Sequence, residues 1–255
     1  MTPRIARAWG KAPGGPSLKG MELKNRHALV TGASSGIGAA TVLALHEAGA
    51  VVAAGARRTD RLGGDLNLTL DVTDESSIRA AVAAAVAEFG RLDLLVNAAG
   101  IMPLGPVLGA DVTTWRQCLD TNLLGMMLVT HAALPHLVEA GAADIVTVSS
   151  IGGRETYPGA AAYHASKFGL YGFSESLRKE LTGDGVRVSV VEPGYTETEL
   201  FGSIGDAGLQ AGIEGVLAGQ RNLDPADVAA AVLHIVSRPP HVVVNNLQIR
   251  PSVQA

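Results

Sequence analysis

Apolar positions along this chain fall into short continuous runs, separated by longer stretches in which they recur every three or four residues. HALVTG (27–32), VVAAGA (51–56), LNLTLDV (66–72), RLDLLVN (91–97), ADIVTVSS (143–150), VRVSVVEP (186–193) and HVVVNNLQI (241–249) read as strands. Strands apolar on both faces belong to a parallel sheet covered on both sides. Between them the spacing predicts helices over 36–48, 75–89, 113–140, 160–181 and 225–237. The first would bury Ile37, Ala40, Leu43, Ala44 and Ala48 on one face. Asp74 is placed to cap the second and Gly90 to stop it. Pro135 should kink or end the third. Strand–helix alternation allows an open doubly wound sheet or a closed (β/α)₈ barrel. A glycine-rich turn directly after the first strand favours the open α/β sheet.

Composition narrows the function classes. With 255 residues, 47% hydrophobic and 17% charged, the chain fits one large domain with a substantial core, and disorder is excluded as its main state. A net charge of −4 argues against nucleic acid, which asks for a basic face. The single cysteine, Cys118, excludes an internal disulfide and a multi-cysteine zinc site, and fits a reducing compartment. His131 and His136, five apart, lie on different helix faces, so no metal is expected. No apolar run reaches the roughly 18–20 residues of a membrane span. Residues 1–20 carry Arg4, Arg7, Lys11 and Lys19, no acid, and no apolar segment of a secretory signal. A short basic targeting peptide and an upstream start codon are both conceivable there. The expectation is a structureless tail, a folded domain over 21–255 and a cytoplasmic location.

The chemistry concentrates in five places. Thr31-Gly32-Ala33-Ser34-Ser35-Gly36-Ile37-Gly38 joins the first strand to the first helix. Glycines there let the backbone turn tightly and approach a pyrophosphate, with helix N–H groups facing the anion. Asn97-Ala98-Ala99-Gly100 ends the fourth strand, and Ser150 follows the fifth. Tyr163 and Lys167 stand four apart in a helix, so their side chains leave one face. Pro193-Gly194 follows the sixth strand, with Thr196 and Thr198 behind it, and Asn122 lies within the long central helix. A tyrosine near pKa 10 is a poor base at neutral pH, and a lysine ammonium beside it would pull that value down.

In this order and context the elements resemble the short-chain dehydrogenase/reductase family, from Met21 to the C-terminus. The resemblance implies a Rossmann-type sheet of about seven parallel strands. It also implies that Tyr163 exchanges a proton with the substrate oxygen, that Ser150 hydrogen-bonds that oxygen, and that Lys167 holds the nicotinamide ribose. Asn122 would position a water in a proton relay. The cofactor would lie on Gly32, Ser34, Ser35, Gly36, Ile37, Gly38, Asn97, Ala98, Gly100, Pro193, Gly194, Thr196 and Thr198, with Asp71 and Val72 at the adenine.

Cofactor choice turns on the end of the second strand. An NAD site places an acid there, but this corner reads Ala56-Arg57-Arg58, with no carboxylate before Asp60. Arginine forks suit a 2′-phosphate, so NADP(H) is expected over NAD(H). Two features depart from the family pattern. The stretch from Arg58 to Leu66 is too short for a full helix, leaving a loop or a single turn. Thr196 replaces a Val or Ile beside the carboxamide, with the β-branched shape kept.

Cys118 reads as a small core residue and His164 as no part of proton transfer. The glycine-rich run from Phe201 to Leu223 reads as a mobile substrate lid, within about 196–223, with a disordered connector as the bland alternative. PGYTETEL and NNLQIRPS are similar to a bacterial branch containing 3-hydroxy acid dehydrogenases and clavaldehyde dehydrogenase. The expected activity is interconversion of a small aldehyde or ketone and its alcohol. A biosynthetic ketoreductase on a larger ketone and a non-catalytic NADP(H) sensor are the alternatives. The helices at 113–140 and 160–181 carry apolar residues on more than one face, which predicts a homotetramer or homodimer built on them.

Overall fold

The computed structural model describes residues 23–254, so the basic stretch 1–20 and Met21 lie outside the described residues. Seven strands form one all-parallel sheet: β1 (His27–Thr31), β2 (Val51–Ala56), β3 (Leu66–Thr69), β4 (Leu94–Asn97), β5 (Ala143–Val148), β6 (Val186–Pro193) and β7 (Asn246–Ile249). Their order is β3-β2-β1-β4-β5-β6-β7. The chain winds outward from β1 to one edge, returns to β4 and winds to the other edge. The crevice of such a sheet opens at the C-terminal ends of β1 and β4, where the winding reverses.

Alternation along each strand divides the core into two layers. Val30, Val96, Val146 and Val191 face α1 (Gly36–Glu47) and α7 (Pro225–Val236). Leu29, Leu95, Ile145 and Val188 face α2 (Glu75–Phe89), α4 (Gly125–Ala140) and α5 (Ala161–Glu180). The inner face of α1 is set one position away from the expected one: Gly38, Thr41, Val42 and Leu45 are buried. Gly38 fixes that rotation, because a Cβ there would stand 2.3 Å from the Gly32 carbonyl oxygen. Buried Thr41 satisfies its hydroxyl by donating to the Ile37 carbonyl at 2.7 Å.

The long central helix runs unbroken from Val112 to Ala140, but not as one regular helix. α3 (Val112–Leu119) passes through a π turn at Asp120–Leu124 into α4, with the Gly125 N–H donating to the Asp120 carbonyl. Pro135 does not end it. The proline and His131 one turn earlier are exposed, so the carbonyl that Pro135 leaves unbonded can meet water, while Ala133 and Leu137 stay buried. By length and composition alone this helix would cross a membrane, unlike anything the unbroken apolar runs suggested. Here it flanks the sheet and packs on α2 and α5.

One further segment differs from expectation, and another takes a shape that the sequence left open. The last strand begins at Asn246, not at residue 241, because the approach to it is gripped by Arg187. That guanidinium donates to the carbonyls of Val236, Arg238, Pro239 and Val242, and Val242, the one of these inside the expected strand, is thereby held out of strand pairing. The glycine-rich run after Thr198 is folded into a 3₁₀ turn (Glu199–Ser203) and α6 (Ala207–Leu217). Asp206 accepts from the Leu209 N–H at 2.9 Å, and Ile204, Leu209 and Ile213 pack beside Tyr163. Burial of those three apolar side chains offsets the poor helix propensity of Gly208, Gly212 and Gly215.

Candidate active site

The β1 turn is shaped by atoms that leave no room for side chains. Gly32 and Gly36 have φ of 65° and 51°, a conformation costly for residues with a Cβ. A Cβ on Gly32 would lie 2.8 Å from the Ala98 carbonyl oxygen. The Thr31 hydroxyl accepts from the Ala98 and Ala99 N–H groups, tying the turn to the end of β4. Ser35, at the N-cap of α1, makes no capping hydrogen bond, so its side chain leaves the first-turn donors of that helix open to an anion. Ile37 follows in that first turn. A cradle that Cβ atoms would fill, beneath an uncapped helix, fits a dinucleotide pyrophosphate.

Around the cradle stand the other cofactor candidates. Arg58 Nη2 donates to the Ser35 hydroxyl at 3.0 Å and to the Ser34 hydroxyl at 3.3 Å. The stretch between β2 and β3 is a single 3₁₀ turn, Thr59–Arg61. Asp71 lies just past β3, held ionised below the usual carboxylate range chiefly by the Thr73 N–H, with nearby Arg57 adding to the effect. The Val72 carbonyl approaches so closely that a Cβ on Gly125 would stand 2.7 Å from it. Asn97 is buried and donates to Thr130 at 3.0 Å. Thr196 is buried and donates to the Gly194 carbonyl, and the Thr198 methyl lies 3.0 Å from where a Gly36 Cβ would be. Pro193, the last residue of β6, leads into this segment.

At the C-terminal ends of β4 and β5 the chemistry-bearing side chains converge. Ser150 caps the 3₁₀ turn Ile151–Gly153 and accepts from the Gly152 N–H at 3.0 Å. Tyr163 and Lys167 leave the same buried face of α5, with Lys167 Nζ 5.7 Å from the tyrosine ring centre. Lys167 donates to the Val148 carbonyl at 3.3 Å. A Cβ on Gly100 would stand 3.4 Å from Asn122 Oδ1 and 3.8 Å from Lys167 Nζ, so Gly100 brings these two groups together.

The electrostatics differ from the sequence expectation. Burial pushes the Tyr163 hydroxyl well above its ordinary value, and a hydrogen bond with Ser150, not the ammonium, is what works against it. Burial also pushes Lys167 down to about 8. Tyr163 therefore holds its proton at neutral pH, loaded as an acid.

Asn122 sits inside the π turn. It exchanges two hydrogen bonds with the Ile101 backbone, both at 2.8 Å, and donates to Ser166 at 3.1 Å. With Oδ1 and both amide hydrogens engaged, the side chain acts as a strut and keeps no spare donor for a water. Cys118 is fully buried beside Ser166, its thiol pushed up by burial. His164, given no role by its position in the sequence, joins two loops. One ring nitrogen accepts from the Tyr157 N–H at 3.1 Å and the other meets the Gly152 carbonyl at 2.8 Å. It clamps the segment after Ser150 onto the helix of Tyr163. Among the described residues no group of three or more His, Cys, Asp or Glu side chains is placed to hold a metal.

Comparison with known proteins places this geometry in context. A family profile for short chain dehydrogenases matches residues 26–208. A sulfoacetaldehyde reductase of Chromohalobacter salexigens is 37% identical over 239 residues, covering 89% of this chain and 94% of the relative. A glycine betaine reductase of Emericella nidulans is 36% identical over 264 residues, and the match covers 97% of this chain but only 21% of that protein. Among solved structures, the closed form of a serine dehydrogenase complexed with NADP⁺ is similar with a TM-score of 0.83 and 34% identity, covering 89% of this chain and 96% of that one.

Proposed function

The chain belongs to the short-chain dehydrogenase family of oxidoreductases, and on that premise we propose that it interconverts a small aldehyde or ketone and its alcohol, with NADP(H) preferred over NAD(H). The observation that carries the proposal is the buried pair Tyr163 and Lys167, with half-buried Ser150 at the end of β5 and Gly100 beside them, next to an open glycine cradle. The nicotinamide, when bound, supplies the hydride for reduction. In that direction Tyr163 donates its proton to the substrate oxygen, and Ser150 hydrogen-bonds the same oxygen. The Lys167 ammonium stabilises the tyrosinate left behind and holds the nicotinamide ribose. Asn122 fixes the backbone at Ile101 beside Gly100.

Gly32, Ser34, Ser35, Gly36, Ile37 and Gly38 would hold the pyrophosphate, with Asp71 and Val72 at the adenine. Asn97, Ala98, Gly100, Pro193, Gly194, Thr196 and Thr198 would line the nicotinamide side. Support for NADP(H) comes from Arg57 and Arg58, and from Arg58 lying on the two serine hydroxyls of the cradle. The segment 196–223 serves as the substrate lid of a single domain over 21–255. Met102, Leu104, Ile204 and Leu209 pack around Tyr163 and favour a small substrate. Sulfoacetaldehyde, the substrate named for a relative, is a reasonable first member of a panel.

Val112, Leu119 and Leu124 on the central helix and Phe168 on α5 are exposed. Of the three serines on α5, Ser166 and Ser174 are buried and only Ser176 is exposed, so little of that outer face is made polar by serine. This supports a homotetramer or homodimer built on these helices. The functional test is oxidation of NADPH, against NADH, over a panel of small aldehydes and ketones. Turnover with a small aldehyde and a clear NADPH preference is expected. Tight NADPH binding with no turnover on any of them would replace the enzyme by a sensor.

A further inference from the structure

Arg58 is already engaged by an acid from a distant part of the chain. Its Nη1 donates to Glu199 Oε2 at 2.9 Å, and Arg61 Nη1 donates to Glu199 Oε1 at 3.0 Å. One carboxylate thus bridges two guanidiniums, using both of its oxygens. The arginines hold it below the usual carboxylate range. All three side chains are about half exposed, so the bridge is a weak one that a stronger anion can break.

The place of this bridge gives it meaning. Arg58 also reaches Ser34 and Ser35 of the cradle, so its fork spans the distance between the pyrophosphate turn and Glu199. Glu199 follows Thr198, whose methyl rests against Gly36. A carboxylate offering two oxygens to two guanidinium forks makes the contacts that a phosphate monoester would make there, with less charge. We propose that Glu199 is an internal stand-in for the cofactor's 2′-phosphate. The phosphate must displace this acid from Arg58 and Arg61, and the acid therefore sets the margin by which phosphorylated cofactor is preferred. The inference rests on the reading of this corner as a phosphate site.

The sign of the effect follows from charge. A bound 2′-phosphate would face the Glu199 carboxylate across the same two arginines, so like-charge repulsion opposes it until the acid swings away. A cofactor ending in a ribose hydroxyl leaves the bridge in place and neither gains nor loses. Displacement also acts on the substrate side. Glu199 opens the 3₁₀ turn whose Ser203 accepts from the Met102 N–H at 2.8 Å. Ile204, just beyond that turn, accepts from the Leu104 N–H at 3.1 Å and is buried beside Tyr163.

The test is calorimetric titration of the full chain with NADPH, NADH and 2′,5′-ADP, in the wild type, Glu199→Gln and Glu199→Asp, without substrate. Glu199→Gln should tighten NADPH and 2′,5′-ADP by about twofold to fivefold, the scale of one exposed ion pair, and leave NADH essentially unchanged. Glu199→Asp keeps the charge and should stay near the wild type. If the wild type prefers NADPH but Glu199→Gln fails to tighten 2′,5′-ADP, the stand-in is overturned and the NADP(H) reading survives. If the wild type shows no preference and Glu199→Gln creates one, the stand-in holds and the native NADP(H) preference falls. No preference in either protein overturns both.

Discussion

The two ends of the sheet handle ionisable side chains in opposite ways. At the N-terminal ends of the strands, buried Asp93 and Asp144 are met by arginines. Arg26 donates to Asp93 at 2.5 Å and to Asp144 at 2.8 Å, and Arg187 donates to both oxygens of Asp144 at 2.7 and 2.9 Å. That cluster spans the lower ends of β1, β4, β5 and β6. At the C-terminal ends, Lys167 is also buried, but among the described residues no carboxylate forms an ion pair with it and its hydrogen bond goes to the Val148 carbonyl, while Tyr163 is buried with its proton on. Charge neutralised by a fixed partner makes a staple. Titratable groups buried without one keep their proton chemistry available.

The largest effect should come from the upper end. Tyr163→Phe removes the proton donor and keeps the ring, so turnover should fall by roughly 10²–10⁴-fold while NADPH affinity and thermal midpoint hold. Turnover within about tenfold of the wild type, under ~1.4 kcal/mol of barrier, would identify another residue as the acid.

At the lower end the same kind of change should act on stability alone. Asp144→Ala takes the only carboxylate in contact with Arg187 among the described residues and one of the two in contact with Arg26, and should cost about 3 kcal/mol in denaturant unfolding, with kcat of the folded fraction unchanged. A large drop in kcat without loss of stability would erase the distinction between the ends.

Next in size is the cofactor corner. Arg58→Ala should weaken NADPH by about 1.5–3 kcal/mol and leave NADH nearly unaffected, read by titration of both. Equal losses for the two cofactors would mean that Arg58 supports the cradle and not the phosphate.

The smallest effect is a pH dependence. Folded Lys167 titrates near 8 and its unfolded counterpart near 10.5. Between those values the unfolded chain binds more protons, so this group makes stability rise with pH from about 8. Tyr163, raised above its ordinary 10, reverses the trend once unfolded tyrosine begins to ionise. The net gain between about pH 8 and 10 should be on the order of 1 kcal/mol, and Lys167→Met should abolish it. A wild-type profile that matches the variant's would show that Lys167 carries no such burial cost.

The comparison also explains what could be read from the sequence. Ser150, Tyr163, Lys167 and the glycine turn were legible because local spacing places them: a strand end, one helix face, one tight turn. The doubly wound sheet followed from the strand runs and that turn. Glu199, 141 positions from Arg58, was not legible, because its role exists only once the chain folds back. The start of β7 was misread for a similar reason, since residues 241–245 have strand-like composition but Arg187 takes the carbonyls on their approach. The helix within the glycine-rich run was not legible, because its glycines lower local propensity and the packing of Ile204 and Leu209 on Tyr163 is a tertiary contact. Asn122 was placed in the right helix, yet its π turn and its grip on Ile101 have no local signature.

The most direct test of the whole account uses NADPH carrying deuterium at the nicotinamide C4, offered to the wild type with a small aldehyde from the panel. Mass spectrometry of the product should find one deuterium on the former carbonyl carbon, and Tyr163→Phe should leave the aldehyde essentially unlabelled over the same time. A wild type that binds the labelled NADPH tightly and transfers deuterium to no carbonyl compound would contradict the assignment of hydride and proton transfer to the C-terminal end of this sheet.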